Sequence, residues 1–334
     1  MISLKAAATA VLLVAVASPA DAGNDDFLHR LIADINAKID AAIVARPPKL
    51  VPPKKVAVHW RLAKLGSVDL GAPLVAMTGA DLDGDGHGEL YAVTSKEVVV
   101  LAMRGKKLDV IGRIAFAGDR AMPAPRDVVG TAIVDGTTVI ASVSSWTRSL
   151  RVHWSGKTLV GDPGEPGFAL CPGEVVQLAP GRNYFGDAQT GRYGAACTQG
   201  MVDAEGHPLR IRADLSVANR LDVAVERCVA TGLGCTAGTH YEYPNVGVAF
   251  AVGDVDRDGT PEVIYAAAGA PGDPDILRIH SFGDDERKPK LKKQFAAGGI
   301  AGIAITDVDR DGIDDVVAAV RLVGSARADL WRLE

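Results

Sequence analysis

The sequence predicts an all-β protein built from repeated antiparallel units, and three observations point there. Beyond Lys55 the chain is a succession of short apolar runs broken by Gly, Asp and Pro, with no long helical period. One nine-residue acidic pattern occurs three times, each copy running into a β-prone segment. The copies are separated by near-multiples of one length, as expected of a repeat architecture. The composition agrees: 48% hydrophobic residues suffice for a core, and 37 glycines without a period exclude a collagen-like chain. A formal charge of −5 argues against a basic nucleic-acid surface.

Taken in order, residues 1–22 read as a secretory signal. Lys5 supplies the positive end, Ala6 to Ala17 the apolar run, and Ala20-Asp21-Ala22 an A-x-A cleavage site. The run is too short to span a bilayer, so the expectation is a secreted or periplasmic protein with no membrane span. In an oxidising compartment Cys171, Cys197, Cys228 and Cys235 are expected to pair rather than bind metal, since no C-x-x-C spacing occurs. Three connectivities are open, and proximity favours 171–197 with 228–235.

Residues 23–55 divide into a helix and a linker. Over 25–46, Leu28, Ile32, Ile35, Ile39 and Ala42 recur at 4-3-4-3 spacing, widened by Phe27, Leu31 and Ile43. Pro47-Pro48 and Pro52-Pro53 stop the helix and stiffen the segment to about Lys55. Packing on its own domain is the favoured role, with self-association through 25–46 the alternative; the mixed-sign polar face argues against a membrane surface.

The third region, 56–334, holds the repeats. They read Asp81-Leu-Asp83-Gly-Asp85-Gly86-His87-Gly-Glu89, Asp254-Val-Asp256-Arg-Asp258-Gly259-Thr260-Pro-Glu262 and Asp307-Val-Asp309-Arg-Asp311-Gly312-Ile313-Asp-Asp315. Carboxylates on alternate residues converge only if the chain curls, and Gly at the sixth position permits the curl. Carboxylates at positions 1, 3, 5 and 9, with the backbone carbonyl of His87, Thr260 or Ile313 at position 7, would make an all-oxygen shell. Hard oxygen ligands in a flexible loop favour Ca²⁺ over zinc or copper. An EF-hand would need a bidentate Glu at position 12, where Ala92, Tyr265 and Ala318 stand, and helices on both sides. Here the flanks are strands by composition.

These loops resemble those of the FG-GAP/VCBS repeats, the calcium-bearing blades of integrin α-chain propellers, and Leu70-Gly71-Ala72-Pro73 resembles the GAP segment. The resemblance covers roughly 70–115, 246–295 and 298–334. It implies a β-propeller with about three Ca²⁺ ions, each in the turn between the first and second strands of a blade, and a role in binding or adhesion.

Spacing gives the blade count. Asp254 and Asp307 are 53 residues apart and Asp81 and Asp254 are 173 apart, close to three units of about 58. Two blades without the acidic loop are therefore expected between them. One is 128–154, where a tight Asp135-Gly136 hairpin replaces the loop. The other is the irregular stretch 173–245. The total is five blades, or six if 173–245 holds two. The last segment lacks an outer strand, which residues 56–70, containing strand-like 56–60, could supply, closing the ring and removing exposed edges.

Function beyond ion binding is less legible. Trp146 with Arg148, and Tyr241 with Tyr243, are candidates for a ligand face on the opposite loops, suited to an unknown glycan or protein. No G-x-S-x-G, H-E-x-x-H or complete P-loop occurs, so no catalytic residue is assigned. The expected function is a calcium-binding adhesion module. A carbohydrate-active enzyme on a propeller scaffold and a subunit assembled through the N-terminal helix are the alternatives.

Overall fold

A computed structural model describes residues 31–32, 59–120, 128–176, 192–203, 205–216, 219–228, 235–236, 238–269, 273–283, 288–295, 298–321 and 325–333. The signal, the linker and all of the predicted helix except Leu31 and Ile32, which are helical, lie outside these residues. The chain divides into two units, 1–46 and 47–334. Every strand among the described residues belongs to the second unit.

Strand β1 (Leu62–Asp69) comes first. The first blade is β2 (Leu74–Ala80), β3 (Glu89–Thr94), β4 (Glu97–Arg104) and β5 (Lys107–Ala115); the second is β6 (Gly130–Asp135), β7 (Thr138–Val143), β8 (Arg148–Ser155) and β9 (Thr158–Pro166). A small hairpin follows, β10 (Phe168–Cys171) with β11 (Glu174–Val176). The third blade is β12 (Arg192–Val202), β13 (Pro208–Ser216) and β14 (Arg220–Cys228); β15 (Cys235–Thr236) and β16 (His240–Pro244) both pair with β14. The fourth is β17 (Val246–Gly253), β18 (Glu262–Ala267), β19 (Asp275–Ser281) and β20 (Leu291–Phe295). The fifth takes β21 (Gly299–Thr306), β22 (Asp315–Arg321) and β23 (Arg327–Leu333) from the C-terminus and β1 as its outer strand.

Consecutive strands within each blade are antiparallel. The innermost strands β2, β6, β12, β17 and β21 adjoin one another in a closed circuit. The unit is a five-bladed β-propeller. Pairing of β1 with β23, from Leu62 opposite Leu333 to Asp69 opposite Arg327, ties the two ends of the ring together in one sheet.

Both sequence expectations hold. The outer strand of the last blade comes from within 56–70, as Leu62–Asp69, while the strand-like residues 56–58 lie outside the described residues. The count is five rather than the alternative six: the irregular stretch holds one blade, preceded by a hairpin in which Phe168 and Leu170 bury against Val129 and Val176, and no further strands join them among the described residues.

The middle strands of the blades are buried on both faces. Every residue of β3 is buried, and β18 and β22 nearly so. A sheet packed between two others cannot show an alternating polar face, which is why these segments read as continuous apolar runs. Their alanines, Ala92, Ala266, Ala318 and Ala319, suit surfaces where blades approach closely. At the seam between the fifth and first blades a Cβ on Gly302 would lie 2.7 Å from the Cβ of Met77, so only glycine fits. Each fully buried Val or Leu, such as Val99 and Leu101, contributes about 1.5–3 kcal/mol.

Candidate metal centres

All three acidic repeats form the turn between the first and second strands of a blade, β2–β3, β17–β18 and β21–β22, and fold alike. Left-handed residues at positions 4 and 6 curl the chain: Gly84 and Gly86 in the first loop, Arg257 and Gly259 in the second, Arg310 and Gly312 in the third. The position-1 carboxylate organises the curl. Asp81, Asp254 and Asp307 each accept the N–H of the sixth residue through Oδ2, at 3.0, 3.1 and 2.7 Å. Their Oδ1 atoms accept an N–H from position 4 or 5. Position 5 accepts from position 7: His87 to Asp85, Thr260 to Asp258 and Ile313 to Asp311, each 2.8 Å.

Position 9 is the first residue of the second strand and is buried: Glu89 1% exposed, Glu262 0% and Asp315 5%. One oxygen of each accepts the N–H of position 2, from Leu82 and Val255 at 3.0 Å and from Val308 at 3.2 Å. The carboxylates thus converge. In the first loop oxygens of Asp81, Asp83, Asp85 and Glu89 lie within 4.8 Å of one another; in the second, those of Asp254, Asp256 and Glu262; in the third, those of Asp307, Asp309 and Asp311. Asp315 falls outside its set because its shorter side chain, anchored to Val308, does not reach as far as a Glu. An all-oxygen donor set at this spacing fits a hard divalent cation. Burial pushes the carboxyls of Glu89 and Asp315 up to about 7, which marks how poorly these sites tolerate uncompensated charge.

The loops differ in what surrounds them. In the second, Lys290 Nζ lies 2.7 Å from Asp256 Oδ2, 2.7 Å from Glu262 Oε1 and 3.5 Å from Asp258 Oδ2. Burial disfavours the ammonium, but the hydrogen bonds it donates to Asp256 and Glu262 outweigh that and hold the proton more tightly than usual. Burial likewise pushes the Glu262 carboxyl upward against the pull of Lys290. In the third loop Arg332 pairs with Asp309, and its Nε lies 3.7 Å from Asp315 Oδ1. In the first, Tyr91 Oη donates to Glu89 at 3.1 Å and accepts from Trp154 Nε1 of the second blade. Among the described residues no Lys, Arg or His pairs with its carboxylates.

The loops also touch. Arg257 of the second donates to the carbonyl of Gly312 in the third, and the Arg310 guanidinium of the third lies against Gly86 of the first. Gly88 N–H donates to Asp307 O at 2.6 Å. They form one arc over three consecutive blades.

A fourth cluster escaped sequence reasoning. Asp203, Glu205 and His207 occupy the β12–β13 turn of the third blade. Asp203 is fully buried, accepts the N–H groups of Glu205 and His207, and meets His207 Nδ1 at 3.1 Å and Arg227 at 3.0 Å. Its signal was an Asp at the end of a first strand, as in the other loops, with one alternating acid, Glu205, and then His207 in place of the third.

The ligand-face candidates do not form a common surface. Trp146 is 4% exposed, stacks on Phe116 with centroids 4.3 Å apart and donates to Ser95 O. Tyr243 is buried beside Tyr265, and half-buried Tyr241 packs on Phe282. Arg148, half-buried, begins β8. Packing inside the blades claims the rings that composition offered to solvent. The cysteines pair 171–197 and 228–235.

No family model matches the chain, and no curated protein sequence does. Solved structures similar to it include the PQQ-bound form of an aldose sugar dehydrogenase from Streptomyces coelicolor, 12% identical over 83% of this chain and 100% of that one, TM-score 0.42. The SapL1 lectin in complex with alpha methyl fucoside is 12% identical over 79% of each chain, TM-score 0.34. AofleA from Arthrobotrys oligospora is 11% identical over 84% of this chain and 89% of that one, TM-score 0.39. At such identities and scores nothing about activity carries over.

Proposed function

We propose that the chain is an exported calcium-binding β-propeller of the FG-GAP/VCBS kind that serves as a binding module, with Ca²⁺ in a structural role. The observation that carries this reading is the repetition of one loop geometry: the same carboxylate positions take the same backbone N–H groups in three blades, and oxygens of four carboxylates in the first loop and of three in each of the others lie within 4.8 Å of one another. Asp81, Asp83, Asp85 and Glu89 would hold one ion, with their counterparts in the other loops. A bound ion offsets the repulsion among clustered carboxylates and stabilises the fold by linkage. Residues 1–22 and the two disulfides support export. A glycan or protein is the class of ligand such a ring of loops would present itself to.

Elemental analysis of the purified protein and melting curves with and without chelator test the proposal. At free Ca²⁺ a hundredfold above Kd, one site adds about 2.7 kcal/mol, or roughly 5–10 °C in Tm. Asp83→Ala and Asp256→Ala should each reproduce part of the chelator effect. A protein without bound calcium and with a Tm indifferent to chelator would overturn the reading.

A further inference from the structure

We infer that Lys290 and Arg332 are tethered counter-cations, which leave the first loop as the single strong divalent site and make the second and third weak ones. The inference rests on the calcium reading above and concerns which loops need the ion. Lys290 Nζ sits on ligand positions 3 and 9 of its loop, Asp256 and Glu262, and near position 5, Asp258. Arg332 pairs with position 3, Asp309, and approaches position 9, Asp315. The two cations come from different places, one just ahead of the outer strand β20 and one on the third strand β23, yet meet the same pair of ligand positions.

Both side chains are largely covered, 22% and 14% exposed, so neither charge is simply a solvated surface group. An entering ion must take carboxylate oxygens already bonded to a cation and must leave a positive side chain beside its own charge. Among the described residues the first loop has neither obstacle. The register counterpart of Arg332, which faces Val317, is Val100, which faces Tyr91. Only in this loop do all four carboxylates converge, and Arg310, near Gly86, makes no ion pair with them. The loop thus has the largest uncompensated negative charge and the most complete donor set.

Calorimetric titration of the signal-free chain with Ca²⁺ alone tests this. The wild type should show one tight site, abolished by Asp83→Asn, and weaker binding beyond it. Lys290→Met should tighten binding at the second loop by about tenfold, the scale of one partly buried ion pair, and Arg332→Met should do so at the third. Lys290→Arg, which keeps the charge, should leave the isotherm unchanged. Three sites of equal affinity in the wild type, or a folded Lys290→Met with an unaltered isotherm, would overturn the inference while the calcium reading stands. If neither methionine variant folds, the wild-type isotherm decides alone. No binding in any protein would overturn both.

Discussion

The arc of the acidic loops and the arc formed by the second and third blades hold the same fold position by different means. In the first, fourth and fifth blades the turn after the innermost strand begins with an Asp followed by carboxylates at positions 3, 5 and 9, with a further one, Asp314, in the fifth. In the third blade it begins with Asp203, whose charge is met inside the chain by Arg227 and His207, and the neighbouring segments are held by Cys171–Cys197 and Cys228–Cys235. In the second blade Asp135 leads into a two-residue turn with Gly136 at φ 58° and no further acids. The comparison teaches that the initial Asp organises backbone N–H groups whether or not the full run of acids follows it, as Asp203 does beside Arg227. On the calcium reading, the charge an ion would offset is that of positions 3, 5 and 9, and a side chain can meet part of it.

The largest expected effect breaks the covalent arc. Replacing Cys171 and Cys197 by Ser opens a 26-residue loop, a loss of about 3.5 kcal/mol by the chain-entropy relation. Urea unfolding should show that loss while the affinity for Ca²⁺ stays put; a fall in affinity would mean the two arcs are one cooperative unit. Next comes Asp203→Ala, which leaves Arg227 and His207 facing a buried gap and should cost about 2–3 kcal/mol. Calcium stoichiometry should again be unchanged.

The two arcs should also respond to pH with opposite sign. The carboxyls of Glu89 and Asp315 titrate near 7 in the ion-free fold, raised by burial, so between the ordinary carboxylate range and pH 7 the folded chain binds more protons than the unfolded one. Ion-free stability from these groups therefore falls as pH rises through that window, on the order of 2 kcal/mol per group, and Ca²⁺ should flatten the slope. Asp203 is pulled below its usual range: burial opposes this, but the His207 hydrogen bonds and Arg227 outweigh it. Its contribution is present above the ordinary carboxylate range and is lost as pH falls through its lowered value. Tm against pH, with chelator and with calcium, would separate the two; a calcium-independent profile removes the contrast.

How much of this was legible in the sequence depended on distance along the chain. Each acidic loop is closed by hydrogen bonds within nine residues, so residue types at fixed spacing sufficed to find it. Five blades followed from the spacing and from the unpaired last segment. Lys290 and Arg332 were not legible, because they reach Glu262 and Asp309 from 28 and 23 residues away and only strand register brings them there. Trp146 read as a ligand residue because its partner, Phe116, lies thirty residues earlier on another segment. Asp203 and Glu205 begin the alternation, but His207 and Ile211 stand where the other loops have their third and fourth acids, so the run was too short to distinguish it from an ordinary turn.

The smallest effect tests the link along the acidic arc. Arg257 and Arg310 occupy position 4 with φ of 53° and 65°, where the first loop has Gly84, and an L-residue in that region costs about 1–2 kcal/mol. Each arginine reaches the next acidic loop around the ring, whereas the blade after Gly84 has none to reach. The strain is thus accepted only where there is a loop to contact. Replacing Arg310 by Gly relieves it while removing the contact to Gly86, so stability should change by less than about 1 kcal/mol. The Gly88–Asp307 hydrogen bond should then be the remaining tie between the third loop and the first, and calcium binding at the two should become more nearly independent, read as a shallower titration. A large stability loss would show that the guanidinium itself neutralises the first loop, and would erase the difference between that loop and the two that carry their own cations.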